Sequence, residues 1–297
     1  EASAANNRIL ENGSGVALGD VDGDGWTDIY LARLEGDNAL YRNLGNWRFE
    51  HITARAQVGC PGQASTGALL ADADGDGDLD LLVNAIGGGT RLFLNYGTAR
   101  FTEVTDSRLV RRFGASSMAM ADMDGDGDLD LYVTNYRTDT FRDDPPGLRV
   151  EAVRQQDGSI KVSPEGRFIP VVPPGGTGVE LIERGERDFL YLNQGGARLA
   201  PVSWTSGAFL DESGQPLREP PADWGLAVQF RDFTGDGRAD LAFLAVDGAA
   251  LGVVAGRAAL PAFVDPLAEA QRRGRRYLLD AADGLRVASL GDIDGDG

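Results

Sequence analysis

The sequence predicts an all-β protein, a β-propeller of four-stranded antiparallel blades joined by calcium-binding loops. Three observations predict it. An acidic nonapeptide recurs four times in full and begins a fifth time, short apolar runs flank the copies, and no helical segment separates the repeats over most of the chain. The loops start at Asp20, Asp72, Asp122, Asp232 and Asp292, so the intervals are 52, 50, 110 and 60 residues, a period of about 50 with one interval twice as long.

The first element of each repeat is a short apolar or alternating run before the acidic loop: Val16-Ala17-Leu18, Ala68-Leu69-Leu70, Met118-Ala119-Met120, Ala227-Val228-Gln229-Phe230 and Val287-Ala288-Ser289-Leu290. The second follows the loop: Ile29-Tyr30-Leu31-Ala32, Leu81-Leu82-Val83, Leu131-Tyr132-Val133-Thr134 and Leu241-Ala242-Phe243-Leu244. Such runs, bounded by Gly and Asp, are strands, and the loop between them is a hairpin connection. A third strand ends in Asn before a Gly turn, at Leu40-Tyr41-Arg42-Asn43, Leu92-Phe93-Leu94-Asn95 and Leu190-Tyr191-Leu192-Asn193. The fourth alternates, as in Trp47 to Ile52, Arg100 to Val104 and Arg198 to Val202. Four such strands make one blade, whose inner strands are apolar because both faces are packed. The expected blades cover about 15–53, 66–105, 116–202 with an insertion at 136–186, 225–283 and a truncated 286–297, all in a single partial propeller domain over 1–297.

Each loop is a candidate metal site. The predicted ligand positions are Asp20, Asp22, Asp24, Trp26 and Asp28; Asp72, Asp74, Asp76, Asp78 and Asp80; Asp122, Asp124, Asp126, Asp128 and Asp130; Asp232, Thr234, Asp236, Arg238 and Asp240; then Asp292, Asp294 and Asp296. Side chains at positions one, three, five and nine supply hard oxygens, position seven supplies a backbone carbonyl, and Gly at six permits the sharp turn. Crowded carboxylates repel unless a cation sits among them, and a flexible oxygen shell suits Ca2+ better than Mg2+. One Ca2+ per loop is therefore expected, in four complete sites and one truncated site. Thr234 replaces a carboxylate, so the fourth site is expected to be the weakest complete one.

Composition supports this reading. Of 46 acidic residues, 20 lie in the five loops, and one divalent ion per loop would bring the net charge from −18 to near −8. No basic stripe exists to meet phosphates, which excludes nucleic acid as a partner; Arg272, Arg273, Arg275 and Arg276 read as a solvated helix end. No apolar run is long enough to span a membrane. Loops of this kind bind Ca2+ at roughly 10⁻⁴ to 10⁻³ M in extracellular modules, which points to a secreted, cell-surface or periplasmic protein. The chain opens on Glu1, so a processed or trimmed N-terminus is expected.

The Asp-x-Asp-Gly-Asp-Gly-Asp-Leu-Asp-Leu-Tyr-Val form at 122 to 133, Leu40-Tyr41-Arg42-Asn43, and Arg187-Asp188-Phe189-Leu190-Tyr191-Leu192-Asn193 carry a family resemblance over residues 15 to 245. The chain resembles the FG-GAP/VCBS-repeat propellers, similar in architecture to the integrin α-subunit head. More narrowly, it resembles bacterial proteins of the cartilage-acidic-protein, ASPIC/UnbV type. The resemblance implies a ring of about seven or eight blades. This chain shows about four and a half, and the expectation is that it is part of a longer protein.

Catalytic signals are sparse. His51 lies on an outer strand, Cys60 sits alone in a Gly/Pro loop, and no phosphate-binding loop opens a helix, so the protein is expected not to be an enzyme. The long connections, 54–65, 136–186 and 203–223, fall on the face opposite the acidic loops, which marks that face as the partner surface. Phe141, Trp204, Phe209 and Trp224 are candidate contacts there, packing onto the disc being the plainer reading; a small hairpin is expected around Asp157-Gly158. The leading expectation is a calcium-stabilised interaction or adhesion module for a protein or glycan. The alternatives are a polysaccharide lyase and an accessory subunit of an envelope assembly.

Overall fold

In a computed structural model of the chain, the described residues are 8–254, apart from 12, 106–107, 110–111, 144–146, 173–177, 208, 210–214, 219, 221–223, 232–239 and 246–249. The predicted loop positions Asp232, Thr234, Asp236, Arg238, Asp292, Asp294 and Asp296 lie outside them, as do the Arg272–Arg276 cluster and the blade segments beyond 254.

Alternating burial and Gly/Asp-bounded runs produce antiparallel sheets. The first blade comprises β1 (Val16–Gly19), β2 (Asp28–Leu31), β3 (Ala39–Asn43) and β4 (Phe49–His51), hydrogen-bonded in sequence order. The second repeats this order with β5 (Ala64–Ala71), β6 (Asp80–Ile86), β7 (Gly89–Asn95) and β8 (Phe101–Glu103). The third begins with β9 (Ala115–Ala121) and β10 (Asp130–Asn135). Two hairpins then intervene, β11 (Glu151–Arg154) with β12 (Ile160–Ser163), and β13 (Phe168–Val171) with β14 (Glu180–Glu183). β15 (Phe189–Asn193) and β16 (Leu199–Pro201) complete the blade. Three strands of a fourth sheet follow: β17 (Ala227–Arg231), β18 (Asp240–Ala245) and β19 (Ala250–Val254).

The sequence suggested one hairpin in the insertion, and the structure has two. Pro170 lies inside β13, and a proline there masks the strand signal. A charged network holds the insertion together, and Glu186 ties it to the start of its blade by accepting the Gly114 N–H. Arg167 donates to Glu183 (2.8 Å) and Asp139 (2.7 Å), Glu183 accepts the Phe141 N–H, and the nearly buried Arg137 donates to the Asp139 and Arg184 carbonyls.

Successive blades meet through their first strands, as a propeller requires. The Gly15 N–H donates to Thr66 O (2.9 Å), Thr66 Oγ1 to Ala115 O (2.6 Å), and Ser116 Oγ to Gly225 O (2.7 Å). The cores lie between blades. Leu81 and Val83 face the first blade with Tyr30 and Leu40, whereas Leu82 and Leu92 face the third with Leu131 and Tyr191. This two-sided burial explains the apolar run Leu81-Leu82-Val83 in β6, since alternate side chains point to opposite neighbours. Trp204 and Phe209 are also buried, with Tyr132 and Leu190, at the contact with the fourth sheet. Those two candidate contact residues are therefore packing residues.

The other face of the first blade carries Val16 and Leu18, which are 54% and 61% exposed. Their counterparts Ala68 and Leu70 pack on the core between blades one and two. Leu82→Ala should accordingly cost about 2–5 kcal/mol by chemical denaturation, against well under about 1 kcal/mol for Leu18→Ala. Equal costs would contradict the inter-blade placement of the core.

Candidate functional site

The acidic hairpins between the first and second strands of blades one, two and three share one construction. The carboxylate at position one folds back over its own loop. Asp72 accepts N–H groups from Gly75 (2.8 Å) and Gly77 (3.0 Å), as Asp122 does from Gly125 and Gly127, and Asp20 from Gly23 and Gly25. Both donors are left-handed; Gly75 and Gly77 have φ of +81° and +94°. Glycine is thus needed at position four as well as six, a requirement that the sequence reading assigned to six alone.

Position nine lies at the start of the second strand and is fully buried in all three loops. Asp80 accepts the Ala73 N–H on Oδ2 (2.9 Å) and the Asn95 N–H on Oδ1 (2.9 Å). Asp28 does the same with Val21 and Asn43, and Asp130 with Met123 and Asn193. One carboxylate therefore binds the acidic loop to the end of the third strand.

The asparagines, which the sequence places only as the last residue of the third strand, have a further role. Asn95 Nδ2 donates to the Leu79 carbonyl in its own loop and to the Val21 carbonyl in the loop of the preceding blade (2.8 Å). Asn193 Nδ2 repeats this with Leu129 and Ala73 (2.8 Å). The signal available was the recurrence of Asn at one register, but its partner lies a full repeat away.

The structure brings together positions one, three and nine. Ligand oxygens of Asp20, Asp22 and Asp28 lie within 4.8 Å of one another, as do those of Asp72, Asp74 and Asp80, and of Asp122, Asp124 and Asp130. Position five is not a member of these triads, although the Asp76 and Asp126 side chains lie against Asp74 and Asp124. Asp24, Asp76 and Asp126 each accept the position-seven N–H of their own loop, at 2.9 Å in all three cases. Position-seven side chains lean over the turn between the third and fourth strands: a Cβ on Gly97 would stand 2.8 Å from an Asp78 oxygen, one on Gly195 3.5 Å from Asp128, and one on Gly45 3.2 Å from the Trp26 ring. Asp240 begins β18, and the rest of its loop lies outside the described residues.

These triads fit a hard divalent cation. Every donor is a carboxylate oxygen, and Asp22 Oδ1 is a buried oxygen with no hydrogen-bond partner. Burial pushes the Asp80 and Asp130 carboxyls up to about 6, against the pull of the backbone N–H groups they accept, and raises Asp28 as well. Asp74 and Asp124 are raised by burial and by their acidic neighbours. Without a cation, these groups hold a proton more tightly than ordinary carboxyls do.

Elsewhere the geometry is that of packing. His51 Nε2 bonds Thr53 Oγ1 (2.8 Å), and its ring lies 5.0 Å from Tyr41. Cys60 is buried, with its thiol pushed up by that burial. The Trp224 ring lies 4.7 Å from Tyr136 at a tilt of 58° and its N–H donates to Glu183 O, whereas Phe141 is half exposed.

Two outcomes are expected. A carboxyl at about 6 in the fold and near 3.8 when unfolded adds stability that is complete below pH 3.8 and lost as pH rises through 6. In chelator, calorimetry should therefore find a higher melting temperature at pH 5 than at pH 7.5, and a rise with pH would refute this. Asn95→Ala should cost about 1–2 kcal/mol in a denaturant melt through loss of its loop and inter-blade bonds; an unchanged midpoint would rule out the staple.

Residues 20–83 and 72–133 match the FG-GAP-like repeat family. Cartilage acidic protein 1 of Mus musculus is 32% identical over 99 residues, and that of Homo sapiens 31% identical, each match covering 32% of this chain and 15% of the relative. The match thus spans a small part of those relatives' length. Among solved structures, the BP39L lectin from Burkholderia pseudomallei aligns over 82% of this chain and 68% of its own, with a TM-score of 0.39 and 12% identity. The V. cholerae biofilm matrix protein Bap1 aligns over 81% and 37%, with a TM-score of 0.36 and 15% identity. Two overlapping matches to the FG-GAP-like repeat family thus lie over the first three acidic loops.

Proposed function

We propose that the acidic loops bind one Ca2+ each as a structural ion, and that the propeller so stiffened is a secreted, cell-surface or periplasmic module that binds a protein or glycan. The observation that carries the reading is the threefold recurrence, in register, of an Asp triad whose buried member also anchors the third strand. A cation there would neutralise carboxylates that the fold holds close together. It would also fix the loop to which the next blade's asparagine is bonded.

The partner surface is proposed on the face away from these loops, where the insertion carries β11 to β14. Val153, Ile169 and Ile182 are 55%, 43% and 51% exposed there, and Phe141 adds a half-exposed ring. Exposed apolar side chains on a scaffolded insertion are the ordinary make-up of a recognition surface. No helix among the described residues is long and apolar enough to cross a membrane.

Titration calorimetry should register Ca2+ binding, and chelator should lower the melting temperature by about 5 °C or more, restored by Ca2+ but not by equimolar Mg2+. Identical melts with and without chelator would overturn the structural-ion reading. A glycan array and a pull-down, each comparing the wild type with Ile169→Asp/Ile182→Asp, test the partner surface. Binding that survives the double substitution would place recognition elsewhere.

A further inference from the structure

The three described loops differ in one contact. In the first blade, Arg42 on β3 reaches the acidic loop: Nε donates to Asp22 Oδ2, and a terminal nitrogen donates to Asp24 Oδ2 at 2.7 Å. The register is set by the following asparagine, so the corresponding residues are Leu94 and Leu192, neither of which can donate. Loop one also carries Trp26 at position seven, where loops two and three carry Asp78 and Asp128. Loop one thus has four carboxylates and a guanidinium, whereas the other two have five carboxylates each.

We propose that Arg42 is a resident counter-ion of the first loop, making it the described loop that closes without a cation and binds one most weakly. The proposal rests on the calcium reading above. The guanidinium holds Asp22 and Asp24 through charge-assisted bonds, which supply in the cation-free state part of the attraction that an ion supplies elsewhere. Asp22 Oδ1 remains buried and free of a partner, so the triad keeps its ligand atom. A cation entering there gains less, because the repulsion it would relieve is already reduced and a positive group stands beside it.

The test is Arg42→Leu, which reproduces the residue of the other two blades. Trp26 lies within loop one, so Tb3+ luminescence excited through tryptophan, competed with Ca2+, reports on that loop, while calorimetry reports on all of them. Loop one of the wild type should require about tenfold more Ca2+ than loops two and three, and Arg42→Leu should tighten it by about tenfold. In chelator the variant should melt below the wild type, with the gap narrowing in saturating Ca2+. Leu94→Arg should weaken loop two by a similar factor, and Arg42→Gln serves if the leucine variant fails to fold. An unchanged or weaker loop one in Arg42→Leu, while loops two and three bind Ca2+, overturns this proposal alone. An absence of Ca2+ binding at millimolar concentration in every loop overturns the calcium reading and this proposal with it.

Discussion

Asp28, Asp80 and Asp130 each hold separate stretches of backbone through a single carboxylate, and the rest of the architecture depends on that contact. One oxygen accepts an N–H near the start of the acidic loop, and the other accepts the N–H of the asparagine that ends the third strand. The same asparagines, in blades two and three, reach back to the loop of the blade before. A buried acid with two backbone donors is an anchor in any protein; here it also joins a triad that could hold a metal ion, and an ion there would be coupled to the seam between blades.

That coupling explains why so acidic a chain can be compact. Burial and mutual repulsion press the carboxyls toward neutrality, and two species can provide it, a proton at low pH or a divalent ion at neutral pH. In the first blade a third species, the Arg42 guanidinium, takes part. The repeats are therefore similar in backbone and different in electrostatics.

The hydrophobic core follows the same logic of shared seams. Residues one apart on the second strand of a blade belong to different clusters, as Leu81 and Leu82 do, because the strand is packed from both sides. The insertion obeys a different rule. Its hairpins are held by Arg137, Arg167, Asp139 and Glu183, a charged cluster in place of an apolar seam, and its outer face keeps apolar side chains in solvent.

Much was legible in the chain because its period is local. The acidic loop, the runs on either side and the Asn-Gly turn all lie within one repeat, so strands, hairpins and candidate ligands could be placed by spacing alone, down to Asp72, Asp74 and Asp80. Tertiary structure decided what depends on neighbours far away in sequence. It left position five outside the triads, gave Asn95 and Asn193 partners in another blade, buried Trp204 and Phe209, and set Arg42 against a loop some 20 residues distant. Spacing encodes backbone period, whereas contacts between blades and the competition for a carboxylate's lone pairs arise only once the sheets are packed.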